Sequence, residues 1–156
     1  MAAEIMTTKR SQQGTTTVEF AVVGVVFFTV LFGLIDLSRI FFELAALDES
    51  TRRGARVAAV CPVNDPYVAQ TALFAGFVPN LTSGNISVQY LNANGAVVGA
   101  PAGAGYGAIR YVRVAIQNFQ IQTFIPGLAA VIPMPAFATT IPSESLGRVG
   151  IVDVPC

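Results

Sequence analysis

No histidine occurs among the 156 residues of the chain. This absence removes the commonest general base and metal ligand, and with them the Ser-His-Asp and Cys-His arrangements of nucleophilic catalysis. Carboxylate chemistry is disfavoured as well, because only Asp65, Glu144 and Asp153 follow residue 49 and the acidic residues form no cluster in the sequence. We therefore expect the protein not to be an enzyme and to have no catalytic residue, no metal site and no cofactor.

Charged side chains are also scarce. They make up 12% of the chain, against 53% hydrophobic residues, whereas ordinary soluble domains carry about 25% charged residues. This deficit indicates that part of the chain meets lipid or a partner. The formal net charge is zero, and the seven arginines beyond residue 10 are scattered among carboxylates. No basic stripe for nucleic acid is expected.

An uncharged apolar run extends from Phe20 to Ile35. As a helix it would span roughly 24 Å, somewhat short of the ~30 Å hydrocarbon core of a bilayer. Val18 and the residues beyond Asp36 can lengthen it, so a membrane-spanning helix is expected. A buried core helix is the alternative, but an apolar surface all round the helix disfavours it in so small a domain.

The charges that flank the run predict its orientation. Lys9 and Arg10 precede it, whereas acidic and basic residues are mixed after it. The positive-inside tendency places the N-terminus in the cytoplasm and the C-terminal two-thirds outside a single-pass membrane protein. A secretory signal peptide is a further alternative. Its nearest small-residue cleavage site, around Ala45 and Ala46, is poorly placed because three charged residues separate it from the run.

Glu19 lies at the edge of the apolar run, where a carboxylate carries a free-energy cost of up to ~2.5–3.5 kcal/mol, the value for a charge at the helix centre. Cleavage after Gly14 would create a cationic amine on Thr15, one helical turn before Glu19. That amine could pair with Glu19 on the same or a neighbouring helix, and the helix dipole would also favour the carboxylate. The alternative is a carboxylate at headgroup level with no special role.

This segment resembles the processing site of type IV prepilins of the Flp/Tad class. Glycine (Gly14) precedes the cut, glutamate (Glu19) follows at mature position five, and an aromatic residue (Phe20) follows at position six. The longer stretch from residue 18 to 60, VEFAVVGVVFFTVLFGLIDLSRIFFELAALDESTRRGARVAAV, resembles the TadE-like family of pilus-assembly pseudopilins. In that family an acidic-x-x-Arg step and a Gly-Ala-Arg segment follow the apolar helix. Gly24 departs from the family, where proline is frequent, so a straighter helix is expected.

The resemblance implies a minor pilin or pseudopilin of a tight-adherence (Tad, Flp) pilus, located in the bacterial inner membrane and able to enter a surface pilus. Prepilin peptidase would remove residues 1–14, and the partners would be the peptidase, other pilins, Tad inner-membrane assembly proteins and the lipid bilayer. The implied roles are processing at Gly14 and Thr15, and processing and assembly at Glu19 and Phe20. Helix ion pairs are expected from spacing, with Arg56 among the pairing residues; the pairs three or four residues apart are Asp36–Arg39, Arg39–Glu43, Asp48–Arg52 and Glu49–Arg53.

Two other functions remain open. An uncleaved single-pass scaffold, whose outer domain binds envelope or secretion-machinery partners, would need neither Gly14 nor Glu19. A membrane-anchored hydrolase would need a carboxylate pair brought together by folding, and the sequence offers no pair at a useful spacing.

One long helix is predicted from about Thr15 to Val60, ending before Pro62. Its first half would lie in lipid or in a pilus core. Its second half is amphipathic and would pack on the outer domain. The apolar positions of that second half recur at helical spacing: Leu37, Ile40, Phe41, Leu44 and Leu47.

Residues 61–156 are predicted to form an extracytoplasmic α+β domain, with a mostly antiparallel sheet packed against the long helix in a pilin-like arrangement. A second helix is expected over Pro66–Phe77, with Asp65 as its N-cap. Asn94-Gly95 favours a tight turn before Ala96–Val98. The predicted strands are Ile86–Tyr90, Ile109–Ile116 with an extension through Phe119 and Ile121, Ala136–Ile141, and Arg148–Val154.

Two loops are expected between these strands. The glycine- and alanine-rich stretch from Gly95 to Gly107 lacks the lysine and the strand–loop–helix context of a phosphate-binding loop, and it is interpreted as a flexible surface loop. The apolar, proline-containing stretch from Phe124 to Phe137 would cover the sheet edge or contact a neighbouring subunit.

Cys61 and Cys156 are the two cysteines, and both fall on the predicted outer side, where disulfides persist. A bridge would enclose nearly the whole outer domain, and loop-closure models assign such a loop up to ~4.7 kcal/mol. Two unpaired thiols are the alternative, because an even count does not establish connectivity. Two sulfurs without histidine are too few for a metal site.

Overall fold

The computed structural model describes residues 13–123, 135–149 and 152–156. The first twelve residues of the predicted leader lie outside these ranges. So do residues 124–134, which make up most of the predicted apolar loop.

A single uninterrupted α-helix, α1, runs from Gln13 to Val60. Its 48 residues correspond to a length of roughly 72 Å. The long helix predicted from the sequence is confirmed, and it begins two residues earlier than predicted. It ends directly before Cys61-Pro62, because proline disfavours the helical conformation of the residue before it.

The second helix, α2, spans Pro66–Ala72 and is shorter than predicted. The carboxylate of Asp65 accepts the backbone N–H of Tyr67 at 2.8 Å, so the predicted N-cap is present. The helix stops early because Phe74 and Ala75 adopt positive φ angles of 51° and 52°, in the left-handed region. A short 3₁₀ turn at Phe74–Gly76 follows instead.

A three-stranded antiparallel sheet packs on the second half of α1. The strands are β1 (Ile86–Leu91), β2 (Tyr111–Ile116) and β3 (Ala138–Pro142), in the order β1-β2-β3. Short 3₁₀ turns at Ser83–Asn85 and Tyr106–Ala108 precede β1 and β2. The arrangement confirms the predicted α+β, pilin-like fold.

One detail of the strand predictions is wrong. The predicted extension through Phe119 and Ile121 is absent, because β2 ends at Ile116 and Asn118 adopts a φ of 53° that breaks the strand. The turn at Asn94-Gly95 does form, and the side-chain oxygen of Asn92 accepts the backbone N–H groups of Asn94 and Ala96. Val97, however, pairs with Leu91 only as an isolated bridge.

The C-terminal segment also differs from its prediction as one strand over Arg148–Val154. It forms two short strands, β4 (Arg148–Val149) and β5 (Val152–Asp153), which pair with each other in a separate antiparallel sheet. Gly147, with a φ of 72°, precedes this hairpin. The C-terminal segment therefore adds a second small sheet to the domain.

The main core lies between α1 and the sheet. Small residues of the helix, Ala55 and Ala58, meet Val112 and Val114 of β2 in one buried cluster. Thr51 is fully buried on the same side of α1, and its hydroxyl lies 2.9 Å from the hydroxyl of Thr139 on β3. Small and hydrogen-bonded side chains let the sheet approach the helix closely.

Candidate membrane and assembly site

The first part of α1, residues 16–35, is called the stem. Its apolar side chains are exposed, from 37% for Leu31 to 79% for Phe20. The helix from Thr16 to Val60 is long and apolar enough to cross a membrane, with an 18-residue window of mean hydropathy 2.5 and none of that window buried. A core helix would bury this window, so the buried-core alternative does not fit.

One side of the stem carries a shallow apolar groove of about 580 Å³. Phe20, Gly24, Phe28 and Phe32 line it at a spacing of four residues, with the rings of Phe28 and Phe32 stacked at 6.1 Å. Gly24 contributes no side chain, and a Cβ atom there would have no neighbour within 4 Å. The glycine that departs from the family pattern thus opens the groove between Phe20 and Phe28.

Glu19 is exposed on the stem next to Phe20. Within the part of the chain that the structure describes, no ion pair involves it. The backbone of Gly14 and Thr15 belongs to the first turn of α1. The predicted processing site therefore lies one helical turn before a carboxylate that has no cationic partner among the described residues.

Burial begins abruptly at Asp36, directly after the stem. Asp36 is 6% exposed and Glu43 is 5% exposed, although both are acidic. Arg39 lies between them, with its Nε atom 3.7 Å from Oδ1 of Asp36 and 3.5 Å from Oε1 of Glu43. These three residues are called the polar cluster. Its arginine compensates two carboxylates that are withdrawn from water.

The polar cluster also attaches the outer domain to α1. The Nη2 atom of Arg39 donates to the carbonyl oxygen of Gln122. A cleft of about 150 Å³ lies at this point, and Asn80 and Phe119 are among the residues that line it with Arg39 and Glu43. Arg39 is four residues beyond the last residue of the stem, which corresponds to roughly 6 Å along the helix axis. The outer domain therefore begins close to the end of the apolar segment.

The buried side of α1 differs from the amphipathic side predicted for its second half. Leu37 and Phe41 are 48% and 62% exposed, whereas Leu47 is fully buried. The buried side includes the acidic positions 36 and 43, and it continues through the small or polar residues Ala46, Ser50, Thr51, Gly54, Ala55, Ala58 and Ala59. The apolar spacing indicated a helix correctly but assigned part of it to the wrong side.

The predicted helix ion pairs are partly present. Asp36 and Arg39 pair as described above, and Glu49 pairs with Arg53 at 2.8 Å. Arg56 is exposed, and no ion pair among the described side chains involves it, so its predicted role in a helix ion pair stays a prediction. Arg56 lies four residues beyond Arg52 and three beyond Arg53, so no acidic side chain stands one turn before it.

Gly54 is a contact residue that the sequence did not single out. A Cβ atom at this position would lie 2.9 Å from Cβ of Ala72 and 3.1 Å from Cγ1 of Val114. The Arg-Arg-Gly-Ala-Arg segment therefore includes the point where α1, α2 and β2 approach most tightly around a missing side chain. Glycine in the middle of a helix was the available signal, because it is unfavourable there without a packing reason.

A disulfide joins Cys61, directly after α1, to Cys156. The two Cα atoms are 5.6 Å apart and 95 positions apart in the sequence. The bridge closes a loop around the outer domain, and the alternative of two unpaired thiols does not apply to this structure.

The hydrolase alternative requires two carboxylates brought together by folding. The polar cluster contains such a pair, because Asp36 and Glu43 both lie next to Arg39. Both carboxylates are nearly inaccessible, and their cationic neighbour holds the carbonyl of Gln122. In the described part of the chain, no group of three or more His, Cys, Asp or Glu side chains could hold a metal ion. The geometry fits an attachment point between helix and domain.

Residues 14–56 match the family model of TadE-like proteins. This N-terminal segment is TadE-like. The match confirms the resemblance seen in the sequence, and it covers the stem, the polar cluster and α1 as far as Arg56. The outer domain, residues 61–156, lies beyond the TadE-like match. The same comparisons find no matching curated protein and no matching solved structure.

Proposed function

We propose that the protein is a minor pilin or pseudopilin of a Tad-type (Flp) pilus, with its outer domain on the extracytoplasmic side of the bacterial inner membrane. One observation carries the proposal: an exposed apolar stem lies inside a TadE-like match, at the end of a helix that holds a folded domain. The TadE-like family implicates Tad pilus assembly. In this role the protein is a substrate and a building element, not an enzyme.

The stem gives the physical basis for the proposal. Its apolar side chains are exposed all round the helix, so in water they would impose a large hydrophobic penalty. A bilayer would remove these side chains from water before assembly, and the helices of other pilins would do so within a filament. The groove of Phe20, Gly24, Phe28 and Phe32 gives one side of the stem a shape that another helix can fill.

Processing would supply the cationic partner that Glu19 lacks among the described residues. Prepilin peptidase would cleave after Gly14 and leave a cationic amine on Thr15. This amine lies one helical turn from Glu19 of the same chain, and it can also reach Glu19 of a neighbouring chain. Since a lone carboxylate is unfavourable among lipid tails or packed helices, the pair would favour assembly of processed chains over unprocessed ones. The partners are the peptidase, other pilins and Tad inner-membrane assembly proteins.

Glu19→Ala tests this role. We expect the variant to keep its folded outer domain and its disulfide, because Glu19 contacts neither. Pilus formation should fall at least about tenfold, the change that a free-energy loss of ~1.4 kcal/mol produces. The measurement is the amount of sheared pili and of this protein within them, in a strain that carries the variant as its sole copy.

Asp48→Ala is the matched control, because it removes an acidic residue from the same helix. The ion pair of Asp48 with Arg52 is 3.9 Å long, and both side chains are 60% exposed. Normal piliation by Asp48→Ala with loss by Glu19→Ala would support the proposal. Normal piliation by both variants would contradict it.

The uncleaved scaffold is the second candidate, and one observation favours it. The helix α1 already begins at Gln13, so the bond between Gly14 and Thr15 lies in helical backbone, whereas proteolytic cleavage concentrates at exposed loop tips and poorly ordered termini. Under this alternative Gly14→Ala would leave the chain length and the function unchanged. Under the pilin proposal Gly14→Ala would block removal of residues 1–14 and pilus assembly together.

A further inference from the structure

The two cysteines of the disulfide differ sharply in accessibility. Cys61 is 1% exposed and belongs to the main core, together with Ala58 and Leu146. Cys156 is exposed at the end of the chain. A buried thiol in apolar surroundings is shielded from external reagents, whereas an exposed one can react with them. In the folded domain Cys61 and Cys156 therefore differ in their access to an external reagent.

Hydrogen bonds hold the C-terminal segment at the end of α1 independently of the disulfide. The carbonyl of Ala59 accepts N–H groups from Glu144 at 3.0 Å and from Leu146 at 3.2 Å. The carbonyl of Val60 accepts the hydroxyl of Ser145 at 3.2 Å. These contacts satisfy carbonyl groups that a helix leaves free at its C-terminus. Residues 144–147 thus act as a cap that brings the following hairpin to Cys61.

The hairpin β4–β5 completes the path to Cys156. Its strands pair only with each other among the described strands, and the N–H of Val154 donates to the carbonyl of Gly147 at 2.6 Å. Because the cap and hairpin fold the segment back onto the helix end, the final ring closure has a high effective concentration of the two sulfurs.

We infer that Cys156 is the first-reacting thiol in formation of this disulfide, and that its reaction partner is an exported protein with an oxidised dithiol site. The Cys156 thiolate attacks one sulfur of the partner's disulfide, which forms a mixed disulfide and releases the partner's other sulfur as a thiolate. The Cys61 thiolate then attacks the Cys156 sulfur and releases the second sulfur of the partner. Two thiols of this chain lose two electrons and two protons, and the partner's disulfide becomes a dithiol.

The inference also gives an order of events: the domain folds first, and the bond closes afterwards. Attack through Cys61 would instead require the cap at Glu144–Gly147 to open, or oxidation before the outer domain folds. This order does not depend on prepilin processing, so it stands or falls separately from the proposed pilus function.

A pulse of N-ethylmaleimide on the full-length chain tests the inference. The protein in detergent micelles is reduced with a phosphine, pulsed for short times, and analysed by peptide mass. We expect Cys156 to be labelled at least about tenfold faster than Cys61, because Cys61 reacts only when the structure opens locally. In guanidinium chloride the two rates should become similar. Similar rates without denaturant, or faster labelling of Cys61, would overturn the inference.

A trapping experiment in cells identifies the partner class. Cys61→Ala removes the resolving thiol, so a reductant-sensitive protein adduct should accumulate on Cys156. Cys156→Ala should not accumulate such an adduct on Cys61. The opposite pattern would overturn the assignment of Cys156. If Cys156 carried only glutathione, or no adduct, the inference that the oxidant is a protein would be contradicted.

Discussion

Gly54 shows how one missing side chain shapes the interface of α1 with the rest of the domain. Alanine at this position would gain about 1 kcal/mol of helix propensity. Its methyl group would also meet Ala72 and Val114 at 2.9 and 3.1 Å, and overpacking of this kind typically destabilises by about 1–3 kcal/mol. Neither neighbour is a flexible side-chain end, so the steric effect should exceed the gain.

We therefore expect Gly54→Ala to lower the free energy of unfolding by about 1 kcal/mol or more. Chemical denaturation can be followed by tyrosine fluorescence of the full chain in micelles, since all four tyrosines lie in the outer domain. Gly33→Ala is the matched control, because a Cβ atom there has no neighbour within 4 Å. Equal stability of Gly54→Ala and the wild type would refute the close-packing role of Gly54.

Tyr90 predicts a specific pH dependence. Burial raises the pKa of its hydroxyl above the ordinary value, and the hydroxyl oxygen accepts the N–H of Asn64 at 3.0 Å. The unfolded chain releases the tyrosine proton from about pH 10 upward, whereas the folded chain holds it to higher pH. The titration of Tyr90 should therefore leave stability independent of pH below pH ~10 and should lower it above that pH.

The comparison of wild type with Tyr90→Phe isolates this effect. At neutral pH the variant should lose about 0.5–1.5 kcal/mol, because the Asn64 N–H loses its acceptor. Above pH ~10 that difference should shrink, because only the wild type must keep a buried tyrosine protonated. Denaturation of both proteins at several pH values measures the difference at neutral and at high pH. Tyr67→Phe is the control, because Tyr67 is 47% exposed. A constant difference across the pH range would be inconsistent with this account of Tyr90.

The residue-scale features were only partly predictable from the sequence. Asp65 was predicted as an N-cap because the Asp-Pro pair has a local physical signature. Gly54, Tyr90 and the burial of Glu43 depend on contacts with segments distant in the chain, and no local pattern reports such contacts. The accessibility difference between Cys61 and Cys156 likewise follows only from the folded domain.

At the scale of elements, the contact of α1 with residues 119–123 depends on the polar cluster. Arg39→Gln would leave Asp36 and Glu43 without their cation, while the amide could retain a hydrogen bond to Gln122. Removal of one partner from a buried ion pair costs about 3–5 kcal/mol. Arg39 is 39% exposed, so water screens part of this effect, and we expect a loss of about 1–3 kcal/mol.

Hydrogen exchange measured by mass spectrometry gives a local reading of the same variant. Exchange should rise in peptides covering residues 119–123 and less in those covering β1. Arg52→Gln is the matched control, because its ion pair with Asp48 is 3.9 Å long and well exposed; its effect should stay within about 0.5 kcal/mol. If Arg39→Gln behaves like Arg52→Gln in both measurements, the polar cluster does not attach the domain to the helix.

Elements with a strong local pattern were predicted best. The long helix followed from the uncharged apolar run, the helical spacing of apolar residues after it and Pro62 beyond its end, and β1 and β2 followed from apolar alternation between turn residues. The prediction of which side of α1 packs on the domain was partly wrong, because the apolar residues Leu37 and Phe41 are exposed and do not pack on the sheet. The end of α2 was missed, because the composition does not reveal the positive φ angles at Phe74 and Ala75. The C-terminal hairpin was missed, because the composition does not reveal that Arg148–Asp153 pairs with itself.

At the scale of the whole molecule, α1 is shared between two environments. The stem presents apolar side chains to its surroundings, and the remainder presents mainly small and polar side chains, together with Leu47, to the domain. The change occurs at Asp36, within the TadE-like match. This division of the helix supports the proposal that the stem lies in a bilayer or among neighbouring helices while the folded domain lies outside them.

The central proposal is that this chain is processed as a prepilin, and the most direct test is the N-terminal sequence and intact mass of the protein from its native bacterium. The account predicts a mature chain that begins Thr15-Thr16-Thr17 and retains the Cys61–Cys156 bond. A chain that still begins at Met1 while the peptidase is active would contradict the pilin proposal and favour the uncleaved scaffold. A cut near Ala46, which is buried within α1, would mean that the stem is a signal peptide.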